Sequence, residues 1–340
     1  KKLTVKNPFD QEPVAEIFLA SAKDVDDAVK AATQGESKWS SLSQSRKGEH
    51  LLELARKIEN RVKELAELET RECGRPVKET KNDIESVVNL FRYYGGLADK
   101  IEGKTIPVEG NRFSYTLREP LGVTAHITPW NFPLKLAVRS IAPSLVAGNT
   151  VVLKPPVEAP LTCLELAREV KEVGFPNGSI NVIPGRGSEA GESLVNHELV
   201  GGVSFIGSRE TGKHISETAG RKIVPSVLEL GGKSPQIVFP DADREKALDG
   251  VLGGIFRASG QSCNAGSRLF VHEKIHDSFV GELVELTEEL RLGDGLKEDT
   301  DLGPLINQQQ LEKVRELINQ GVKNGVQILT GGHKPEDNRL

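Results

Sequence analysis

Cys263 sits in Gly260-Gln261-Ser262-Cys263-Asn264-Ala265-Gly266, and Glu229 lies 34 positions earlier in Leu228-Glu229-Leu230-Gly231-Gly232-Lys233-Ser234-Pro235. A thiol attacks an electrophilic carbon as its thiolate, and a carboxylate nearby can move the protons of the reaction. A lone cysteine is most often an inert buried thiol. The glycines and small polar residues around Cys263 predict exposure and close approach of a ligand instead. Glu229 ends an apolar run before two glycines, where burial would raise its pKa toward base function; the plainer alternative is a surface or ion-paired carboxylate. Cys73 and Cys163 fall in helical patterns and are assigned no role.

A second set of residues lies upstream. Thr128-Pro129-Trp130-Asn131-Phe132-Pro133-Leu134 is a rigid, aromatic turn at a strand end. It is either a packed turn or the mount for an Asn131 amide that donates to a developing oxyanion, as the backbone N–H of Cys263 also could. Gly185-Arg186-Gly187-Ser188-Glu189-Ala190-Gly191 follows a strand but is one residue too long for Gly-x-Gly-x-x-Gly, so a plain strand-to-helix turn fits it equally well. In Phe205-Ile206-Gly207-Ser208-Arg209-Glu210-Thr211-Gly212 a helix N-terminus and the Ser208 hydroxyl could hold a pyrophosphate. Two such turns in succession on a parallel sheet favour a nucleotide. His272 and His276 are four apart, but no thiolate or carboxylate ligands accompany them, and no metal site is assigned.

These residues need elements to carry them. Ser21-Ala22-Lys23-Asp24 is a cap-like start leading into a helix over Val25 to Ala32. Leu51, Leu54, Ala55, Ile58, Val62, Leu65 and Leu68 recur at helical spacing from Lys47 to Leu68, and Ile84, Val87, Leu90 and Phe91 share one face of a helix from Val77 to Ala98. The alternation around Arg112-Phe113-Ser114-Tyr115-Thr116-Leu117-Arg118 predicts a hairpin arm. Then strands and helices alternate: strands at Val123 to Thr128, Thr150 to Leu153, Ile180 to Ile183, Val203 to Ile206 and Ser226 to Leu228, with helices at Leu136 to Ala147, Leu161 to Val173 and Glu210 to Ala219. That rhythm predicts an α/β, doubly wound parallel sheet, which binds ligands at the carboxyl ends of its strands. A second α/β unit follows, with strands at Gln236 to Phe239 and Arg268 to Val271 around a helix from Ala247 to Ala258. The division expected is 1–102 with 122–231 as a dinucleotide-binding domain, 103–121 as an arm, and 232–340 as an incomplete catalytic domain.

The bulk properties narrow the class. At 340 residues with a net charge of −5 and no basic block, a nucleic-acid partner is not expected. Three well-separated cysteines argue against a disulfide framework and for a cytoplasmic chain. No apolar run approaches a membrane span, and no signal segment opens the sequence. The absence of methionine, and the stop at Arg339-Leu340, create the expectation that the natural protein extends further.

Taken together, Pro129-Trp130-Asn131-Phe132-Pro133, Lys154-Pro155, Phe205-x-Gly207-Ser208, Glu229-Leu230-Gly231-Gly232-Lys233 and Gly260-Gln261-x-Cys263 resemble the NAD(P)-dependent aldehyde dehydrogenase family, in the family's order and through nearly the whole chain. The resemblance implies that Cys263 attacks an aldehyde, that Asn131 and a backbone N–H hold the oxyanion, and that Glu229 activates water to release the acid from a thioester. It also implies that Lys154 reaches the adenosine ribose, that Ser208, beside Gly207, reaches the pyrophosphate, and that Gly187 lies near the adenine, with Trp130 beside the cofactor. The arm matches part of the family's oligomerisation domain, so a homodimer or homotetramer is expected. Where NAD-preferring members commonly carry Glu three residues after the lysine, this chain has Val157, which would make NADP acceptable or preferred. The family's Glu-x-Phe-Gly-Pro segment is expected beyond Leu340.

Arg139, eight residues after Asn131, and Arg257, six before Cys263, match arginines that hold the substrate carboxylate in succinate-semialdehyde dehydrogenases. A guanidinium fork suits a carboxylate, and a structural ion pair is the alternative. Ala265 stands where some of those enzymes carry a second cysteine. A small carboxylated semialdehyde, such as succinate semialdehyde, is therefore the leading substrate, ahead of hydroxyaldehydes such as lactaldehyde or glyceraldehyde. A coenzyme-A-acylating enzyme does not need Glu229, and an enzymatically silent protein does not need the Cys263, Glu229 and Asn131 set.

Overall fold

The computed structural model of the protein describes residues 1–335. The expected continuation past Arg339-Leu340 lies outside the described residues. The chain divides into two compact units, one made of Lys1–Thr4, Glu16–Leu65 and Lys81–Glu229, the other of Val5–Ala15, Ala66–Thr80 and the chain from Leu230 onward. This differs from the sequence-based division, which kept 1–102 in one piece. The reason is backbone packing at Gly74 (φ 78°): the Val77 N–H donates to the Gly295 carbonyl at 2.7 Å, and Gly295 and Gly303 approach Gly74 and Arg75 more closely than any side chain would allow.

Strands β1 (Lys2–Lys6) and β2 (Pro13–Phe18) pair in a ribbon. Helix α1 (Ala22–Ser40) starts at the expected capping box, where the Ser21 hydroxyl accepts the Asp24 N–H and the Asp24 carboxylate accepts the Ser21 N–H at 2.8 Å. It buries Val25, Val29, Ala32 and Trp39 completely. The periodic run from Lys47 to Leu68 is two helices rather than one, α2 (Gln44–Glu59) and α3 (Val62–Cys73). Asn60 closes α2 with its N–H on the Arg56 carbonyl, and Arg61 turns aside to meet Glu64, Glu165 and Glu169. The apolar positions keep phase across the break, so periodicity does not reveal it. Helix α4 (Val77–Leu97) follows. The arm contains only two-residue strands, β3 (Thr105–Ile106) and β4 (Ser114–Tyr115), antiparallel with Thr105 opposite Tyr115, and it leaves Phe113, Tyr115 and Leu117 exposed.

The first unit's sheet alternates with helices in chain order: β5 (Val123–Ile127), α5 (Pro133–Val146), β6 (Thr150–Lys154), α6 (Leu161–Val173), β7 (Ile180–Val182), α7 (Glu192–Asn196), β8 (Val200–Gly207), α8 (Arg209–Lys222) and β9 (Ser226–Leu230). The order across the sheet is β7-β6-β5-β8-β9, and the β5 pairings with β6 and β8, like that of β6 with β7, are parallel. The fold is α/β with a doubly wound parallel sheet. Every residue of β5 and β6 is buried, as central parallel strands covered on both faces require. The winding reverses at β5, so the switch point lies between the carboxyl ends of β5 and β8. Within β5, the Thr124 hydroxyl donates to the Thr150 carbonyl at 2.9 Å, so His126, 3.0 Å away, must donate to it through Nε2. Burial holds this imidazole neutral, its pKa pushed down to about 3.

In the second unit, β10 (Pro235–Val238), α9 (Arg244–Phe256), β11 (Arg268–Val271) and α10 (His276–Glu288) precede α11 (Gln308–Lys323). Strands β10 and β11 are parallel, with Pro235 opposite Arg268. Val238, Leu248, Val251 and Phe279 form the core beneath them. No helix among the described residues is long and apolar enough to cross a membrane.

Candidate active site

The carboxyl ends of the sheet's strands carry most of the residues singled out in the first unit. Beyond β5 the chain bends through Trp130, which is partly buried, and Asn131, which is buried, before Pro133 opens α5. Lys154 closes β6 and is buried, its ammonium donating to the carbonyls of Pro155 at 2.8 Å and Gly185 at 3.2 Å. Burial pushes the Lys154 pKa down to about 8, with Glu158 drawing it weakly back. Beyond β7, Gly187 opens a wide turn over Gly187–Gly191, closed by the Glu189 and Gly191 N–H groups on the Arg186 carbonyl. Those amides are turned inward, unlike the free amides of a Gly-x-Gly-x-x-Gly loop, and α7 is only five residues long. Open space surrounds the position of a Gly187 Cβ.

Ser208 caps α8, accepting the Thr211 N–H at 3.3 Å and donating to the Thr211 hydroxyl at 2.9 Å. The first amides of such a helix, on Arg209 and Glu210, have no helical acceptor and point toward solvent or ligand. Gly207 is required by packing, since a Cβ there would fall 2.5 Å from the buried Phe205 ring. A buried amine, a turn with open space and an exposed capped helix start therefore share one edge of the sheet. Such an edge fits a dinucleotide.

Glu229 departs from expectation. It lies on β9, the outermost strand, whose residues alternate between half-buried and exposed. Its side chain is 47% exposed rather than buried, and its Oε1 is 3.1 Å from the Arg139 guanidinium of α5. The cause is position: an edge strand covered on one face leaves alternate side chains open to water. Arg139 thus reaches Glu229, and the ion-pair alternative describes it as it stands.

In the second unit, Cys263 sits on a turn between the segment Arg257–Gly260 and β11. Its carbonyl accepts the Gly232 N–H at 3.1 Å, so Gly231-Gly232 ties the Glu229 motif's tail to the cysteine loop. Gly266 returns its N–H to the Gly254 carbonyl at 2.8 Å, and Gln236 fills the space beside both glycines, donating to the Gly266 carbonyl at 2.9 Å. A Cβ at Gly254 or Gly266 would lie 2.5 or 2.4 Å from that amide. The cysteines separate clearly. Cys73 is fully buried with its thiol pKa pushed upward by desolvation, Cys163 is buried with Sγ toward the Pro133 carbonyl at 3.7 Å, and Cys263 is partly exposed. Arg257 is the C-cap of α9.

Comparison with known proteins decides the family. The model of the aldehyde dehydrogenase family matches residues 1–340. The chain belongs to the aldehyde dehydrogenase family. It is 42% identical to the betaine aldehyde dehydrogenase of Bacillus subtilis (strain 168), over 99% of this chain and 69% of that protein. It is also 42% identical to the hydroxyisobutyraldehyde dehydrogenase of Mycolicibacterium austroafricanum, over 97% of this chain and 65% of that one. The structure of the NAD+ complex of an aldehyde dehydrogenase from Bacillus cereus superposes with a TM-score of 0.97 at 40% identity, covering 98% of this chain and 69% of that chain. The chain thus spans about two thirds of the length of these relatives. Membership makes it an NAD(P)-dependent oxidoreductase acting on the aldehyde group.

Sequence reading missed the support beneath the cysteine loop. Arg75 and Glu79 lie at the start of a plainly periodic helix, and nothing in Ala258-Ser259 announces an unusual backbone. The only available signal was Gly74, a glycine immediately before a charged residue and a proline.

Proposed function

We propose that the protein oxidises a small aldehyde to its carboxylic acid through a covalent intermediate on Cys263. The thiolate attacks the aldehyde carbon, forming a C–S bond, while the Asn131 amide and the Cys263 N–H donate to the oxygen that becomes negative. Bound NAD(P)+ supplies the hydride acceptor, leaving a thioester on the protein. Glu229 then takes a proton from water, water adds to the thioester carbon, and the acid departs as the thiolate is regenerated. For that step Glu229 must exchange Arg139 for water. One observation carries the reading: of three cysteines, Cys263 alone is partly exposed, on a loop whose carbonyl is held by Gly232 of the Glu229 motif.

The test is kinetic. Cys263→Ser should abolish NAD(P)+ reduction, and Glu229→Gln should give one equivalent of NAD(P)H in a burst and then stall. Full steady-state turnover by Cys263→Ser removes the covalent route; unchanged turnover by Glu229→Gln removes Glu229 from deacylation.

Val157 stands where a carboxylate would repel a 2′-phosphate, and Lys154 offers a counter-charge, so NADP+ is accepted alongside NAD+. The division into a dinucleotide-binding part, an arm and a catalytic part is proposed on the same grounds. The exposed Phe113, Tyr115 and Leu117 of the arm support its use in a homodimer or homotetramer. A carboxylated semialdehyde remains the leading substrate, with Arg257 as the carboxylate's partner. A hydroxyaldehyde is the second reading, favoured by the engagement of Arg139 with Glu229 and by the hydroxyisobutyraldehyde-oxidising relative. A steady-state panel of succinate semialdehyde, lactaldehyde and butyraldehyde with each cofactor separates the two.

A further inference from the structure

The chain enters the Cys263 loop through three consecutive residues in the left-handed region: Ala258 (φ 53°, ψ 34°), Ser259 (φ 54°, ψ 39°) and Gly260 (φ 75°). Glycine adopts this conformation freely, whereas alanine and serine hold it only where the surroundings impose it. The surroundings are specific. Both carboxylate oxygens of Glu79 accept the Ala258 N–H, at 3.3 and 3.1 Å. The same carboxylate accepts from Arg75, whose Nε and terminal nitrogen lie 3.3 and 3.0 Å from Glu79 Oε2. Arg75 is 1% exposed, and a terminal nitrogen stands 3.7 Å from a carboxylate oxygen of the fully buried Glu69. Beyond Ala258, the Ser259 hydroxyl donates to the Gly303 carbonyl at 2.8 Å and Gln261 accepts the Ile306 N–H at 3.0 Å.

A guanidinium buried this deeply stays charged, and it is kept only where carboxylates surround it. Its partner Glu79 therefore has a fixed position from which to hold one backbone amide. That amide belongs to the first residue of the left-handed run, the hinge from which the chain turns toward the thiol. The downstream side of the loop is anchored separately, by Gly232 on the Cys263 carbonyl and by Gly266 on Gly254. The entry is the part of the loop whose backbone is held by a charged side chain.

We propose that Glu79, fixed by Arg75, is a positioning residue for the Cys263 thiol. It pins Ala258 and Ser259 in a conformation they would otherwise leave, and so sets where the sulfur is presented. The proposal rests on Cys263 being the nucleophile. It acts through geometry, not by touching substrate or cofactor.

The experiment uses the full-length enzyme, with hydrogen exchange read by peptide mass spectrometry beside steady-state kinetics. Glu79→Ala should lower kcat by about thirtyfold or more while the cofactor KM stays within about twofold. Exchange should accelerate in the peptide spanning 257–266 and remain unchanged in β10, β11 and α10. Glu79→Gln keeps an oxygen for the Ala258 N–H, and should recover most of the lost kcat. If Glu79→Ala loosens the whole second unit evenly, or leaves kcat intact, the positioning role is overturned. Should Glu79→Ala not fold, Glu79→Asp, which keeps a carboxylate beside Arg75 but is one methylene too short to hold Ala258, carries the exchange test: loosening confined to 257–266 supports the proposal, and unchanged protection there or loss throughout the unit overturns it. Cys263→Ser fails or succeeds independently, because the exchange result does not depend on which residue attacks the aldehyde.

Discussion

The sheet edge proposed to hold the cofactor and the loop that presents Cys263 are held in place by different physics. At the first, regular elements end where the sheet says they must, and side chains are attached to those ends: Lys154 at the last residue of β6, Ser208 at the cap of α8. Positioning there costs no unusual backbone. At the second, the backbone itself is forced, with two non-glycine residues at positive φ and glycines packed backbone to backbone beneath them. A sheet edge tolerates substitution because its geometry is supported by many repeated hydrogen bonds. A forced loop depends on a few contacts, each of which matters.

The sharpest way to break that contrast is to add one methyl group to each region. A Cβ at Gly303 would sit 1.9 Å from the Gly74 carbonyl oxygen, backbone against backbone, with nothing flexible to move aside. Gly303→Ala should therefore destabilise the second unit by about 3 kcal/mol. Gly187, at the sheet edge, has no atom within 4 Å of the same position. Gly187→Ala should change stability by less than about 0.5 kcal/mol. Urea unfolding followed by hydrogen exchange in each unit's own peptides measures both. Equal costs would mean that the two regions are built alike after all.

The next prediction sharpens the cofactor side through pH. Lys154 is a base whose pKa is lowered, to about 8, so it is charged below that value and neutral above it. A 2′-phosphate is attracted only by the charged form. The ratio of kcat/KM for NADP+ to that for NAD+ should fall about tenfold between pH 7 and pH 9, because kcat/KM reports the free enzyme. Lys154→Met should lose the slope. A ratio independent of pH in the unmodified enzyme would separate Lys154 from NADP+ recognition.

The same contrast explains what could be read from the sequence. Helix α6 runs from Leu161 to Val173 as its periodicity predicts, because the pattern ends at Gly174, which adopts φ 84° to close it. The strands of the sheet were legible because central parallel strands are short buried runs rich in β-branched residues, here preceded by glycine turns at Gly122 and Gly148 and ended by prolines. The break at Asn60 was not, since apolar positions on α2 and α3 stay in phase across it. Nor was the exposure of Glu229: whether an edge strand's alternate residues face water depends on distant segments that cover it. The partial exposure of Cys263 was legible from the small residues around it. The left-handed run before it was not, because Ala258 and Ser259 are held there by Glu79, a contact 179 residues away in sequence.

The smallest expected effect separates two roles of one hydroxyl. Ser208 caps α8 through the Thr211 N–H, and caps of this kind are worth about 1 kcal/mol. Its proposed second role is to meet the cofactor's pyrophosphate. Ser208→Ala removes both, so it should lower stability by about 1 kcal/mol and raise the KM for either cofactor severalfold. Ser208→Asp keeps a capping oxygen, and its charge suits a helix N-terminus, so stability should return. That same charge opposes a phosphate, so the cofactor KM should rise further than in the alanine variant. A KM that recovers together with stability would show that the hydroxyl serves the helix only, and that α8 meets the cofactor, if at all, through its backbone amides.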